Sequence, residues 1–229
     1  MKNKEEAAIL ERYKRRKENG RVYSIFAPDE FYAEWMVARE LLNQLKRHGI
    51  LNIRDKKVLD VGCGYGSWLR KFVNFGADPC KLHGIDLLEE RVKSAKYVHP
   101  NMWFKQCNAE AIPFPDQHFD MVIQAVVFTS ILDYATKKRI ADEMLRVLND
   151  DGLIIWFDFR YDNPWNPDVK GIGKNDLQSL FTGCTFDFKS VVLAPPITKL
   201  LARYSVMACL VLEKIPILRT HYLTIIKKH

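Results

Sequence analysis

The residues best suited to chemistry in this sequence lie in one glycine-rich segment, VLDVGCGYG at positions 58–66. An apolar strand leads directly into Gly62, Gly64 and Gly66, and a helical pattern follows. Glycine allows a positive φ angle and a close approach of the backbone to a ligand, and the first turn of the following helix offers unpaired N–H groups. The segment therefore predicts a ligand-binding turn, and a tight strand-to-helix turn without a ligand is the alternative.

Two details of this segment indicate which ligand charge the turn would accept. The spacing is Gly-x-Gly-x-Gly, whereas dinucleotide-binding turns have Gly-x-Gly-x-x-Gly. Asp60 lies inside the strand, just before the turn that contains Cys63. A carboxylate at this place would repel a pyrophosphate and attract an ammonium group. The turn therefore favours the amino-acid end of S-adenosylmethionine over a phosphate.

A second acidic residue, Asp86, ends the next predicted strand, 81–86, and is followed by Leu87. A carboxylate at the carboxyl edge of a parallel sheet can accept hydrogen bonds from both hydroxyls of a ribose. A lone aspartate at the end of a strand also commonly caps the helix that follows. Because Asp86 comes one strand after the glycine turn, we expect ribose binding.

A polar segment follows the third predicted strand, 102–107. It contains Asn108, Ala109 and Glu110, and the sequence IPFP follows at positions 112–115. A polar side chain here can form a hydrogen bond with the edge of an adenine, and the Pro-Phe-Pro loop can rest against the ring. By itself this segment would predict only a turn.

The elements that must position these residues alternate along the chain. Strands are predicted at 57–61, 81–86, 102–107, 121–125, 153–159, 186–193 and 222–227. Helices are predicted at 4–18, 29–49, 67–75, 88–96, 137–148, 176–181 and 199–212. The alternation predicts an α/β fold with a mostly parallel, doubly wound sheet and helices on both faces. We expect a helical cap or lid at residues 1–50 and one sheet domain at 51–229.

Together these motifs resemble the class I S-adenosylmethionine-dependent methyltransferases, in particular the small-molecule branch that includes the ubiquinone/menaquinone-type enzymes. The resemblance covers about residues 57–158. It implies a Rossmann-like, seven-stranded sheet in a three-layer α/β/α sandwich, with the last strand antiparallel to the others. It also implies methyl transfer as the activity, with S-adenosylmethionine as cofactor and S-adenosylhomocysteine as product.

The resemblance also implies roles for individual residues. The turn Gly62-Cys63-Gly64 would contact the methionine end of the cofactor, and Asp86 would bind the ribose. Asn108 replaces the aspartate that the family usually has beside the adenine amino group, and it offers a donor as well as an acceptor. Gln124 matches a position that often touches the methionine portion. Where the family often has a His-His pair, this chain has Phe128-Thr129-Ser130, so no catalytic role is assigned there.

The same resemblance places the acceptor at the carboxyl edge of the sheet, because the connection between the last two strands crosses that edge. In this chain the connection is a helical insertion at about 194–220, which we expect to form part of the acceptor pocket. His221 and Tyr222 start the last strand and are the candidate catalytic residues, able to remove a proton from an oxygen acceptor. Tyr23 and Phe26 are candidates for a lid over the cofactor.

Composition limits the remaining possibilities. The chain has 229 residues, of which 48% are hydrophobic and 28% are charged, so we expect one well-packed domain. No apolar run approaches the roughly 18 residues of a membrane span, and the N-terminus lacks a signal-peptide pattern, so we expect a cytoplasmic protein. The five cysteines are scattered without a Cys-x-x-Cys pair, and neither disulfides nor a metal site are expected.

The net charge of +7 is concentrated at the two ends of the chain, in residues 1–20 and 199–229. A basic surface can bind nucleic acid, but a solvated basic face is the interpretation that we favour. The preferred function is O- or N-methylation of a small molecule, for example in natural-product or glycan biosynthesis, by a monomer or homodimer. Methylation of RNA or of a protein is the alternative, and a cofactor-binding module without catalysis is a further one.

Overall fold

The structure of the chain is a computed structural model, and it describes residues 4–18, 24, 26–163, 166 and 168–229. The helices are α1 (Lys4–Glu18), α2 (Pro28–Arg47), α3 (Ser67–Asn74), α4 (Glu89–Val98), α5 (Tyr134–Val147), α6 (Lys174–Leu180), α7 (Pro195–Leu201) and α8 (Val206–Leu212). The strands are β1 (Val58–Val61), β2 (Leu82–Asp86), β3 (Trp103–Gln106), β4 (Phe119–Ala125), β5 (Leu148–Phe159), β6 (Cys184–Leu193) and β7 (Arg219–Lys228). None of the helices in the described part of the chain is long and apolar enough to cross a membrane.

The strands form a seven-stranded sheet, in the order β3-β2-β1-β4-β5-β7-β6 within the described residues. β1 pairs in parallel with β2 and with β4, β2 pairs in parallel with β3, and β4 with β5. β7 runs antiparallel to both β5 and β6. The predicted Rossmann-like sheet with an antiparallel last strand is confirmed. Its strand order reverses between β1 and β4, which is where open α/β sheets bind their ligands.

The strand register brings the predicted site residues to one edge of the sheet. Val61, the last residue of β1, lies opposite Ile85 on one side and opposite Gln124 on the other. The carboxyl ends of β1, β2 and β4 therefore lie side by side. Gly62 and Asp86 follow directly and face the same edge.

Both faces of the sheet are covered by helices, because successive side chains of a strand point to opposite faces. Val58 packs on one face in a cluster with Leu41 of α2 and Leu69 of α3. Leu59 packs on the other face in a cluster with Met144 of α5. The two clusters are the two interfaces of the predicted three-layer α/β/α sandwich.

The two N-terminal helices, predicted together as a cap at residues 1–50, occupy different places. Glu6 and Tyr13 of α1 line a cavity at the carboxyl edge of the sheet. Leu41 and Leu45 of α2 are buried in the core cluster on one face of the sheet. The structure thus places α2 in a helical layer of the sandwich, and of these two helices α1 is the one that lines the cavity at the carboxyl edge.

The insertion between β6 and β7 contains two helices where the sequence predicted one at 199–212. α7 begins with Pro195, which is tolerated in the first turn of a helix. α8 begins after Ser205, whose hydroxyl accepts a hydrogen bond from the N–H of Ala208 at 3.2 Å. This side chain is an N-cap that starts a new helix, so the prediction of one continuous helix is wrong.

Trp103 and Trp156 both lie within predicted strands, so the sequence predicts that both belong to the core, and together they provide a stability test. Trp156 is 1% exposed and its ring centroid lies 4.5 Å from that of Phe128, whereas Trp103 is 37% exposed on the edge strand β3. The core prediction is therefore wrong for Trp103. We expect Trp156→Ala to lower the free energy of unfolding by about 3–5 kcal/mol, and Trp103→Ala to lower it by less than half as much. Chemical denaturation measures both, and equal losses would contradict this description of the core.

Candidate functional site

The turn after β1 has the backbone that its glycines predicted. Gly62, Gly64 and Gly66 have φ angles of 77°, 55° and 81°, which residues with a side chain rarely adopt. A Cβ atom at Gly62 would lie 2.3 Å from a methyl carbon of Val127, so close packing also requires glycine there. The N–H of Gly62 donates to the carbonyl oxygen of Ile85 at 2.8 Å, which ties the turn to β2.

Asp86 holds the same turn from the end of β2. One carboxylate oxygen accepts a hydrogen bond from the N–H of Gly64 at 2.8 Å, and the other accepts one from the N–H of Leu88 at 2.8 Å. The residue is 6% exposed, and it lines the cavity at the carboxyl edge. Each carboxylate oxygen has a further lone pair, so the capping role and the predicted ribose contact are compatible.

Asp60 carries a buried carboxyl group. It is 1% exposed, and neither of its oxygens has a hydrogen-bond partner among the described residues. Burial, and to a smaller extent the negative charge of Asp86, raises the pKa of Asp60 to about 8. Burial also raises the pKa of the neighbouring Cys63 thiol. Because a buried polar group without a partner costs free energy of folding, a cationic group bound beside Asp60 would be stabilised.

A cavity lies beside the turn, and its empty space together with the open solvent at its mouth is about 780 Å³. The predicted cofactor residues that line it are Gly62, Asp86, Leu87, Asn108, Ala109 and Glu110. Five other described residues that were predicted to bind the cofactor do not line it: Asp60, Cys63, Gly64, Gly66 and Gln124. Of the two lid candidates, Tyr23 lies outside the described residues and Phe26 is exposed.

The helix α1 covers the cavity through contacts that sequence reasoning missed. Glu6, Ile9 and Tyr13 line the cavity. The amide nitrogen of Asn108 donates to a carboxylate oxygen of Glu6 at 3.3 Å. The guanidinium carbon of Arg91 lies 4.4 Å from the centroid of the Tyr13 ring, in a cation–π contact. The spacing of four residues between Ile9 and Tyr13 was the available sequence signal, and it did not reveal what this helix covers.

Gln124 braces the loop after β4. Its side chain is buried; the amide nitrogen donates to the carbonyl oxygen of Phe157 at 3.3 Å, and the amide oxygen accepts from the N–H of Val127 at 3.1 Å. Val126, which lies between Gln124 and Val127 in the sequence, lines the cavity and has a φ of 58°. This is a strained conformation for a β-branched residue, and such strain is concentrated at functional sites. Sequence reasoning missed Val126, because nothing in a valine signals an unusual backbone angle.

A second buried carboxyl group, Asp158 of β5, was not predicted as a site residue. It accepts hydrogen bonds from the hydroxyl of Thr129 at 2.6 Å and from the N–H groups of Thr129 and Phe159 at 3.2 and 2.9 Å. Burial raises the pKa of Asp158 to about 6, although these hydrogen bonds lower it. Asp158 therefore fixes the short turn after β4 that contains Thr129.

The candidate catalytic residues point to opposite faces of β7. His221 is buried, its ring centroid lies 4.8 Å from that of Phe157, and its Nδ1 lies 2.9 Å from the hydroxyl of Thr220. Burial lowers the pKa of His221 to about 3. The ring of Tyr222 has the guanidinium carbon of Arg160 at 4.8 Å from its centroid. Neither residue lines the cavity beside the glycine turn, so the structure does not bring this pair together with the predicted cofactor residues.

Comparisons with known proteins agree with this geometry. The family model of a methyltransferase domain matches residues 58–152, from the start of β1 into β5. The ubiquinone/menaquinone biosynthesis C-methyltransferase UbiE of Shewanella sediminis is 32% identical over 109 residues, which are 45% of this chain and 42% of that protein. Residues 58–152 are therefore a methyltransferase domain, and the chain is similar to S-adenosylmethionine-dependent methyltransferases.

Further methyltransferases are similar to about the same part of the chain. The phthiotriol/phenolphthiotriol dimycocerosates methyltransferase 1 of Mycobacterium ulcerans is 30% identical over 129 residues, which are 53% of this chain and 45% of that protein. The match thus spans less than half the length of these curated relatives. An S-adenosylmethionine dependent methyltransferase from Mesorhizobium loti has a TM-score of 0.60 at 14% identity, covering 81% of this chain and 96% of that one, and this likeness shows the shared fold.

Replacing Asp60 by asparagine tests the buried carboxyl group of this methyltransferase domain. The folded-state pKa of about 8 lies above the ordinary value of 3.8. Between these values the folded chain binds more protons than the unfolded chain, so the stability of the parent protein falls as the pH rises. We expect Asp60→Asn to match the parent near pH 4 and to exceed it above about pH 8 by a few kcal/mol, since one pKa unit corresponds to about 1.4 kcal/mol.

Urea unfolding at a series of pH values measures this difference in the free energy of unfolding. The exposed Asp142 provides a matched control, and we expect Asp142→Asn to show the same pH dependence as the parent. If Asp60→Asn also parallels the parent across the whole series, then Asp60 is not an unpaired buried acid.

Proposed function

We propose that this chain transfers a methyl group from S-adenosylmethionine to a small-molecule acceptor, by O- or N-methylation. The observation that carries the proposal is the buried carboxyl group of Asp60, which has no hydrogen-bond partner among the described residues and directly precedes the glycine turn. The methionine end of the cofactor carries an ammonium group, which would give Asp60 a charged hydrogen-bond donor. A pyrophosphate would instead bring more negative charge to a place that already holds Asp60 and Asp86.

The lining of the cavity fits the rest of the cofactor. Asp86 would accept hydrogen bonds from the ribose hydroxyls, using the lone pairs that Gly64 and Leu88 leave free. Asn108 and its apolar neighbour Ala109 would contact the adenine. Since the amide of Asn108 also donates to Glu6, the position of α1 would be coupled to occupancy of the adenine site.

When bound, S-adenosylmethionine would supply a methyl group already activated by its positively charged sulfur. The residues of this chain would then have to orient the acceptor and keep water away. Ile9 and Tyr13 of α1 already cover the cavity from the solvent side of the sheet edge. The insertion that contains α7 and α8 connects β6 to β7 at the same edge, and it would contribute to the acceptor pocket.

Removal of a proton from the acceptor is the role proposed for His221 and Tyr222. The pKa of His221, lowered to about 3 by burial, keeps its imidazole neutral near pH 7. A group with so low a pKa is a weak general base. This favours an acceptor whose attacking atom needs no strong base.

A second candidate, methylation of RNA or of a protein, is favoured by the basic residues at the ends of the chain, which has a net charge of +7. Binding of RNA that weakens steeply with added salt would support it. A non-catalytic cofactor-binding module would bind the cofactor and turn over no acceptor.

Cofactor binding by the parent chain and by Asp86→Ala tests the proposal. We expect the parent to bind S-adenosylmethionine and S-adenosylhomocysteine, and the variant to bind each at least tenfold more weakly. The reason is that hydrogen bonds to a charged group contribute about 1.5–3 kcal/mol. Titration calorimetry measures both affinities.

Asp78 provides a control, because its carboxylate also accepts a backbone hydrogen bond, from the N–H of Cys80 at 3.0 Å, but at a distant turn. We expect Asp78→Ala to bind the cofactor as the parent does. Absence of binding by the folded parent chain, or binding of NAD in its place, would contradict the proposed function.

A further inference from the structure

The insertion between β6 and β7 exposes an unusual amount of apolar side chain. Tyr204, Met207 and Ile217 are 74%, 68% and 73% exposed. We define the insertion surface as the exposed side chains of Leu200, Tyr204, Met207, Val211, Ile215 and Ile217. Soluble monomers rarely expose contiguous apolar patches of this kind, and those that do generally use them to bind.

The opposite side of the insertion is already packed, so the exposed side chains are not the ones that fix it to the fold. Ala202 and Cys209 are buried in a cluster with Tyr32 and Met36 of α2 and with Leu193. The two short helices therefore have an apolar inner side that anchors them. They have a second apolar side that no described part of the chain covers.

Basic residues are interspersed with the insertion surface. Lys199, Arg203 and Lys214 are exposed, and Glu213 is the acidic residue in positions 195–218. Glu213 is buried and accepts a hydrogen bond from the hydroxyl of Tyr32. The outward face of the insertion thus combines apolar side chains with positive charge.

Further basic side chains line a cleft next to the insertion surface. Lys214 lines this cleft together with Arg39 of α2, Lys189 of β6 and Arg219. Two acidic residues also line the cleft. Glu213 is hydrogen-bonded to the hydroxyl of Tyr32, and Glu40 forms an ion pair at 3.5 Å with Arg47, which lies outside the cleft lining. Met207 and Val211 belong to both the cleft and the insertion surface. Within α8 and the residues just after it, Met207, Val211 and Lys214 are spaced four and three residues apart, which places them on one helical face.

We infer that the insertion surface docks this protein onto a lipid bilayer that contains anionic headgroups. Short helices with apolar and basic side chains on the same exposed side are suited to the interface of a membrane, where the apolar groups enter the acyl boundary and the cations meet lipid phosphates. The cleft with Arg39, Lys189 and Lys214 would receive headgroups beside the inserted side chains. This inference does not depend on methyl transfer.

Charge complementarity selects this partner over two others. In a symmetric pair of chains the same surface meets itself, so a second copy would bring Lys199, Arg203 and Lys214 close to their own counterparts. Nucleic acid would satisfy the cations, but it binds through phosphate contacts and base stacking. It would leave the aliphatic side chains Met207 and Ile217 without a partner.

Co-sedimentation of the full chain with vesicles tests the inference. We expect binding to vesicles of phosphatidylcholine mixed with phosphatidylglycerol, much weaker binding to phosphatidylcholine alone, and partial loss in high salt. Ile217→Glu and Lys214→Glu should each weaken binding to the mixed vesicles roughly tenfold. The matched controls are Tyr97→Glu and Lys96→Glu, which alter an apolar and a basic side chain that are exposed on α4, and both should bind as the parent does.

Three results would overturn the inference. One is that the folded parent chain fails to bind the mixed vesicles at low salt. Another is that the α4 controls lose as much binding as the insertion variants. The third is that the parent binds an RNA oligonucleotide or forms a dimer, that Ile217→Glu abolishes this interaction, and that the parent does not sediment with the vesicles.

Discussion

The rest of the site depends on one electrostatic constraint. The carboxyl group of Asp60 is buried within reach of the charge of Asp86, and no described residue gives it a hydrogen-bond donor. Burial and the neighbouring charge raise the pKa of Asp60 to about 8, so the group is largely protonated near neutral pH. Such a residue lowers the stability of the chain as the pH rises. We interpret this loss of stability as the consequence of a site that binds a cationic ligand group. The cation would favour the ionised form of Asp60 and bind to it.

Three loops hold each other in place around this carboxyl group. The turn after β1 is tied to β2 through Asp86, which accepts from the N–H of Gly64. The loop after β4 reaches the same turn, because Val127 lies where a side chain at Gly62 would otherwise fit. The side chain of Gln124 holds that loop in its strained conformation by accepting a hydrogen bond from the N–H of Val127. The mutual support of these loops gives a preformed site, whereas α1 is attached to it from outside by side-chain contacts.

The sheet and the glycine turn could be predicted from the sequence, because apolar runs and closely spaced glycines are local signals. A helical cap at residues 1–50 was expected, but the contacts through which α1 reaches the site could not be predicted, since the hydrogen bond between Asn108 and Glu6 joins distant parts of the chain. The break before α8 did have a signal, the capping Ser205, but the apolar run after it resembles one longer helix. The enclosure of His221 by Phe157 follows from the pairing of β5 with β7, and strand register is not encoded locally.

The most direct test of this account is the number of protons released when S-adenosylhomocysteine binds near pH 7. Titration calorimetry in buffers of different ionisation enthalpy gives that number. With a pKa of about 8 in the free chain, Asp60 should release close to one proton as the ammonium group binds, and Asp60→Asn should release almost none. A binding enthalpy that does not depend on the buffer in the parent chain, or equal proton release by Asp60→Asn, would contradict the account.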